Sequence, residues 1–531
     1  MNRTARWRRW LPPILAALIF ALLSLALLPH LGIQDDEVFF SYPIYNGAGI
    51  AANLRFAGHT IPLMDLSYFG ALKTWLYYAI FSLAPPSRWS VRLPMVIAGV
   101  ATIWLTWEWV RDLAGQRAAA FTVALLATDS IFILTNTFDW GPVALQHVLL
   151  VGGLFSMQLW FRRGARCWLA LAFFLWGAGL WDKALMIWDL GGLAVAAVCV
   201  YPRESWRALR LKTAGVAVAA LAAGALPLIV YNIVRHGETA ASNTRLSLTS
   251  VPQKLDELLE VFRGDVLFDY MVASAPGPIL QKPSTFTERV SIALNDQPGP
   301  QSSRPFVPAL VLAGIAWLFL LRRREGRILA FLAIASAVAW LQMAANTGTG
   351  GGAHHVILIW PFPCAFIGIA LAGASERLPK YGGWVIAALV LWFSAASILN
   401  TNTYLAKIIR NGAPIAWTDA SERLAGAVSH YRGDPIAIVD WGYINVLRMF
   451  YGGELQLVPI NEATPAQIAA VVPRPNTVFI QHTDDHEIFP GVNERLRAIA
   501  AGLGYTEQIL RIVHDDEGRA VFQIVRLTKT R

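Results

Sequence analysis

The chain has 531 residues, 55% of them hydrophobic and only 15% charged, with a mean hydropathy of +0.46; an ordinary soluble chain is about 25% charged, so a row of soluble domains is excluded and a membrane protein is indicated. Its 44 Lys and Arg against 35 Asp and Glu give a formal charge of +9, an excess that in so apolar a chain belongs in short cytoplasmic loops orienting spans and does not imply nucleic acid. Cys167, Cys199 and Cys364 all lie in apolar runs without paired spacing, which excludes a disulfide framework or a cysteine zinc site and leaves them as packing residues.

A helix rising 1.5 Å per residue needs about 20 apolar residues to cross a hydrocarbon core of about 30 Å. About eleven runs meet or approach that length: 11–29, 91–110, 118–136, 142–161, 167–181, 184–201, 213–234, 306–321, 328–346, 353–374 and 384–400. The first follows the arginine-rich MNRTARWRRW and has no small-residue cleavage site after it, so it reads as a retained anchor and not a signal peptide. The basic junctions 111–117, 162–166, 203–212, 322–327 and 376–380 fall on the same side as the N-terminus, and the positive-inside rule places that side in the cytoplasm.

One further apolar run, 66–84, contains Lys73 and ends in Pro85-Pro86. If it crossed, every later basic loop would land outside, so it is expected to lie at the outer interface or to re-enter. The outer face then holds the loop 31–90, the turn 136–141, the pair Asp182-Lys183, the loop 235–305, the segment 346–355 and the tail from about 401. The organisation expected is a transmembrane domain over 1–400 and an extracytoplasmic α/β domain over 401–531. In the tail, β-branched runs at 436–440, 477–481, 508–513 and 521–526 read as strands. Capping-box spacing joins Asp419 to Glu422 and Thr464 to Gln467, the latter with Pro465 at the first helical position. No repeat of 20 to 50 residues is visible, and GTGGG at 348–352 lacks the Gly-Lys-Ser/Thr ending of a phosphate loop, so it reads as a flexible turn.

The strongest chemical signal is Gln34-Asp35-Asp36-Glu37, three carboxylates directly outside the first span. Such a group can act as general base, orient an acceptor or hold a divalent cation through hard oxygens; the bland alternative is a solvated helix end. Asp139, in the turn Asn136-Thr137-Phe138-Asp139-Trp140-Gly141-Pro142, lies on the same side and is either a second site carboxylate or an interfacial turn residue. Lys73, Arg92, Lys183, His354 and His355 are the basic residues placed to hold an anionic headgroup, each with the alternative of snorkelling or pairing locally, as Lys183 could with Asp182. Asp129 and Asp189 lie deeper in their spans, where a charge should face a cavity or be protonated.

The Asp36-Glu37 pair after the first span, the aromatic segment Tyr68-Phe69-Gly70-Ala71-Leu72-Lys73-Thr74-Trp75-Leu76, and Ser90-Val91-Arg92-Leu93-Pro94 opening a span together resemble the membrane glycosyltransferases of the protein O-mannosyltransferase and aminoarabinose transferase superfamily. Asp139 and the run from His354 to Pro363 are similar to later landmarks of its bacterial members. The resemblance covers about the first 400 residues. It implies a polytopic α-helical protein of GT-C type in the bacterial plasma membrane, with interfacial helices in the first outer loop. It also implies transfer of a sugar from a polyprenyl-phosphate carrier to an extracytoplasmic glycan, lipid or protein, usually with inversion. On that pattern Asp36 activates the acceptor, Glu37 is its neighbour and Asp139 is the second-loop acid. Asp35 is an extra acid ahead of the pair, and Lys73 falls inside the aromatic segment, where the family often has its basic residue before it.

No cofactor is required by these residues, and a divalent cation is compatible with them. The partners implied are the lipid-linked donor, the acceptor and membrane lipid. A transporter or flippase would also use many spans and intramembrane acids, but it predicts a repeat with interrupted helices in matching positions, which the sequence does not display. A membrane anchor presenting the tail as a sensor would leave the acidic triplet and Asp139 idle.

Overall fold

The computed structural model describes residues 9–46, 50–208, 210–297, 303–347, 352–379 and 381–530. The arginines before residue 9, most of the glycine turn at 348–352 and Lys380 lie outside them.

All eleven apolar runs are helical. Among the described residues, five helices are long and apolar enough to cross a membrane: Leu11–His30, Arg88–Ala114, Ala144–Arg163, Arg324–Ala344 and Gly382–Asn411. Three runs are bent pairs: Gln116–Thr128 with Ser130–Thr137 at 61°, Leu211–Gly224 with Leu226–Val234 at 73°, and Ala353–Ile359 with Phe362–Ser375 at 43°. Arg166–Asp182, Met186–Val200 and Phe306–Leu318 are shorter apolar helices. The breaks have local causes. Pro227 and Pro363 sit in the first turn of the second helix of their pairs, where a missing N–H costs nothing. At the first break Asp129 accepts from Phe132 N at 2.9 Å and so caps the second helix.

Asp129 does not line the main cavity, contrary to the sequence expectation; its carboxylate is met inside the protein. It pairs with Arg304 at 2.5 Å and accepts from Trp360 Nε1 at 3.0 Å. Asp189 is buried in the first turn of Met186–Val200, the helix end that favours negative charge. The basic junctions meet pairwise at one end of the bundle: Arg162 pairs with Asp112, Arg117 donates to Ser375 Oγ at 3.0 Å, and Arg327 donates to the Val200 carbonyl at 2.9 Å.

In the loop after the first long helix the strands β1 (Ala52–Phe56) and β2 (His59–Met64) form an antiparallel hairpin that the sequence reading missed. The helical part of 66–84 is only Leu72–Phe81, 10 residues, or about 15 Å, too short to cross.

The Gly382–Asn411 helix runs through residue 400 before the chain enters the tail domain. There β3 (Ile436–Ile438), β4 (Leu457–Pro459), β5 (Val478–His482), β6 (Tyr505–His514) and β7 (Ala520–Lys529) form one sheet in the order β4-β3-β5-β7-β6. The first three are mutually parallel, and β7 runs antiparallel to both β5 and β6. Side chains alternate across the sheet. Ile436, Ile438 and Ile480 pack with Leu424 and Leu447 on one face, whereas Ala437, Phe479 and Val525 pack with Ile468 and Leu496 on the other. The Thr464–Gln467 capping box forms as expected. Asp419 instead turns its carboxylate to Arg423 and to the backbone N of Asp516.

The tail domain is fastened to the membrane domain through backbone. Gly32 N donates to Trp417 O at 2.8 Å, Ala273 N to Gly412 O at 3.1 Å and Ile279 N to Glu517 O at 2.9 Å.

Candidate active site

Where the two domains meet they enclose a cavity of about 600 Å³. The loop 31–90 supplies Asp35, Asp36, Phe39, Phe40, Tyr42, Leu66, Tyr68 and Phe69. Trp140 and Gly141 come from the turn 136–141, Glu257 and Tyr270 from the loop 235–305, and Ala353 and His354 from the later segment. The tail domain adds Trp441, Ile444, Asn445 and Arg448.

The acidic triplet divides into three different environments. Glu37 receives Arg92 bidentately, Nε to Oε1 at 2.7 Å and Nη2 to Oε2 at 2.8 Å. Arg92 also donates to the carbonyls of Leu28 and Leu31 at 2.8 Å and of Gly32 at 2.7 Å. All five guanidinium donors are therefore used, and both side chains are buried. Arg92, expected at the donor phosphate, instead pins the loop that leaves the first span, and Glu37 is its counter-ion and does not line the cavity. The planar five-donor fork of Arg is suited to that task.

Asp35 accepts from the backbone N and from Nδ2 of Asn445, both at 2.8 Å. Burial and the neighbouring charge of Asp36 push its carboxyl up to about 7. Asp36 forms no ion pair within 4.0 Å among the described residues; its nearest donor is Gln34 Nε2 at 3.4 Å. Burial raises its carboxyl above the usual range too. The triplet thus leaves one carboxylate, Asp36, facing the cavity without a strong partner.

The second-loop acid is also engaged. Asp139 Oδ2 lies 3.0 Å from Lys73 Nζ, which donates to the Asp139 carbonyl at 2.7 Å. Its Oδ1 accepts from Val143 N at 2.7 Å and Ala144 N at 3.3 Å, at the start of the Ala144–Arg163 helix. Lys73 and Asp139 are buried, and the ring of Phe40, 4.7 Å from Nζ, lies between Lys73 and the cavity it was expected to face.

Backbone packing brings the remaining groups close. Gly70 N donates to Asp182 O and Ala184 N to Tyr68 O, so the aromatic segment is laced to the turn at Lys183. A side chain on residue 70 would start 2.0 Å from the Trp181 carbonyl, which requires glycine in that motif. Lys183 is buried behind Phe69, 5.5 Å from its ring, and donates to the His354 carbonyl at 3.5 Å. It has no ion pair with Asp182, which accepts from Gln146 at 2.8 Å. His354 lines the cavity beside Trp140, while His355 is buried beneath it with ring centroids 4.0 Å apart.

Of the nine expected site residues, Asp35, Asp36 and His354 line the cavity; Glu37, Asp139, Lys73, Arg92, Lys183 and His355 form the layer behind it. Tyr42, Tyr270, Glu257 and Arg448 line it without having been foreseen. Burial raises the Glu257 carboxyl. No group of three His, Cys, Asp or Glu able to hold a metal ion occurs among the described residues.

Comparison with known proteins follows the same outline. The model of the family described as Dolichyl-phosphate-mannose-protein mannosyltransferase matches residues 71–231, a window that contains Lys73, Arg92 and Asp139. No curated protein matches the chain in sequence. The solved structure of ArnT from Cupriavidus metallidurans bound to undecaprenyl phosphate is similar over 98% of both chains, with a TM-score of 0.63 at 13% identity. Its apo state gives 0.59 at 14% over the same shares. The archaeal oligosaccharyltransferase AglB from Archaeoglobus fulgidus, solved with an inhibitory peptide and a dolichol-phosphate, gives 0.53 at 14% identity over 100% of this chain and 75% of that one. The chain has the GT-C fold, in agreement with the resemblance read from its sequence.

Proposed function

We propose that the protein is a membrane glycosyltransferase that moves a sugar from a polyprenyl-phosphate carrier to an extracytoplasmic acceptor, with Asp36 as general base. The observation that carries this reading is the separation of the acidic triplet: one carboxylate is locked by Arg92, one is held by Asn445, and Asp36 faces a cavity of about 600 Å³ without an ion pair. The fold shared with a structure that holds undecaprenyl phosphate supports the choice of donor.

In this mechanism an acceptor hydroxyl or amine attacks the anomeric carbon from the face opposite the carrier. Its proton passes to Asp36, a new bond forms at that carbon, and the bond to the phosphate oxygen breaks, so the configuration inverts. A lipid phosphate needs no proton to leave if its charge is balanced, so the protein's tasks are alignment, base assistance and charge neutralisation. Lys73 and Arg92 act at a distance, by shaping the wall. His354 lines the cavity at the later segment, and Lys183, behind Phe69, supports it from below through the His354 carbonyl.

The span reading belongs to the same proposal. The eleven helical runs cross with the N-terminus inside and the tail outside, as the meeting of the basic junctions at one end supports. The protein then sits in the plasma membrane with its sheet domain, residues 401–531, on the extracytoplasmic side.

The test is a cell-free assay with labelled polyprenyl-phosphate sugar. Release of free lipid phosphate in equal amount to sugar transferred is expected. Movement of intact lipid-linked sugar across the bilayer without cleavage would replace the enzyme by a flippase.

A further inference from the structure

An anionic leaving group inside a cavity needs a positive partner, and the described residues leave few. Lys73 is held by Asp139 at 3.0 Å. Arg92 has given all five donors to Glu37 and three carbonyls. Lys183 lies behind Phe69 and is not part of the cavity lining.

Arg448 differs from all of these. It lines the cavity, yet it comes from the tail domain, on the short helix Ile444–Phe450. Its guanidinium is half-buried over the ring of Tyr42, 4.6 Å from the centroid, and Nη1 donates to Asn445 Oδ1 at 3.2 Å. No carboxylate oxygen stands within 4.0 Å of it among the described residues. One turn earlier on the same helix, Asn445 grips Asp35 through its backbone N and Nδ2. The helix therefore delivers a permanent cation, with donors to spare, beside the acidic pair.

Resting on the glycosyltransferase reading, we propose that Arg448 binds the carrier phosphate and balances its charge as the sugar leaves, so that the tail domain completes the donor site. Arg448 then acts on the phosphate directly. Asn445 is a positioning residue that holds Asp35 aside and sets the angle of the helix. The fork of a guanidinium suits two phosphate oxygens at once, which a lysine at the same place would meet only as a point charge.

The experiment is the binding of undecaprenyl phosphate to the full-length protein in detergent, followed by tryptophan fluorescence, for wild type, Arg448→Gln, Arg448→Lys and the control Arg432→Gln. Arg432 lies on the same domain and faces Glu454 away from the cavity. Arg448→Gln is expected to weaken binding about tenfold to a hundredfold and to flatten its salt dependence. Arg448→Lys should keep part of the affinity, with the melting temperature of both variants and the behaviour of Arg432→Gln as in wild type. If Arg448→Gln lowers the melting temperature, the affinity of Arg448→Lys decides in its place. Undiminished lipid-phosphate affinity in well-folded Arg448→Gln overturns the assignment, and a raised acceptor KM with that affinity unchanged overturns it in favour of an acceptor contact. Wild type that neither binds undecaprenyl phosphate nor transfers sugar overturns the function itself, an outcome distinct from failure of Arg448 alone.

Discussion

Lys73 and Asp139, 66 residues apart in the chain, form a buried ion pair at 3.0 Å that joins the loop 31–90 to the turn 136–141. Removing one partner of such a pair leaves the other charged and buried, a cost of about 3 to 5 kcal/mol. Lys73→Met should therefore lower the thermal stability of the detergent-solubilised protein substantially. Lys73→Met combined with Asp139→Asn should cost less than the two single changes added together. A Lys73→Met protein that melts like wild type but no longer binds lipid phosphate would assign Lys73 to the donor instead.

The acidic triplet makes a kinetic prediction. General-base assistance is commonly worth about 10² to 10⁴ in rate, so Asp36→Asn, almost isosteric, should lose about 3 to 5 kcal/mol of barrier reduction while keeping its melting temperature and lipid-phosphate affinity. Glu37→Gln should show the opposite pattern, with reduced stability because Arg92 loses its counter-ion. Comparing kcat and melting temperature for both variants separates the two roles. Asp36→Asn with normal turnover would move the base to Asp35.

The pH dependence follows from the same two carboxyls. A general base works ionised, so the rate must fall as pH falls through its pKa. Burial raises the Asp36 carboxyl above the ordinary aspartate range, and Asp35, pushed up to about 7, titrates beside it. The acid limb of the kcat profile is therefore expected at higher pH than an ordinary exposed aspartate would give. Asp35→Asn removes the like charge and should move that limb to lower pH. A limb that stays in place, with turnover retained, would show that the two carboxyls do not share protons.

Topology can be tested at two glycines. A reporter inserted after Gly164, at the turn closing the Ala144–Arg163 helix, should face the cytoplasm, and one after Gly412, past the end of the Gly382–Asn411 helix, should face outside. A Gly164 reporter on the outer face would reverse the charge argument and separate the cavity from extracytoplasmic acceptors.

What could be read from the sequence was local. Hydropathy over about 20 residues marks each helical run, and β-branched runs mark four of the five tail strands, because burial and strand preference act on neighbours in the chain. The strand at 457–459 is three residues long and carries too little pattern. The hairpin at 52–64 carries a weak signal, since polar and apolar residues alternate only over 53–56 and Pro62 interrupts the second strand. Motif spacing brought Asp36 and His354 to the cavity, but it could not say that Glu37 belongs to Arg92, 55 residues on, or Asp35 to Asn445, 410 residues on. Those partnerships arise only from packing between distant elements. Arg448 had no signal of its own, since a lone arginine in a short helix normally faces water.

The strand order of the tail domain also sets an order of assembly. β7, residues 520–529, sits between β5 and β6, and the turn just before it reaches back to the loop at 279–281. Strands made earlier therefore have an open edge until residue 529 has been synthesised, because β7 holds the place between β5 and β6. The membrane helices can be inserted and packed well before then, yet the wall bearing Asn445 and Arg448 is not in position. A half-made chain thus offers the membrane a scaffold with an incomplete cavity, and closure of the tail sheet is the step at which it becomes whole.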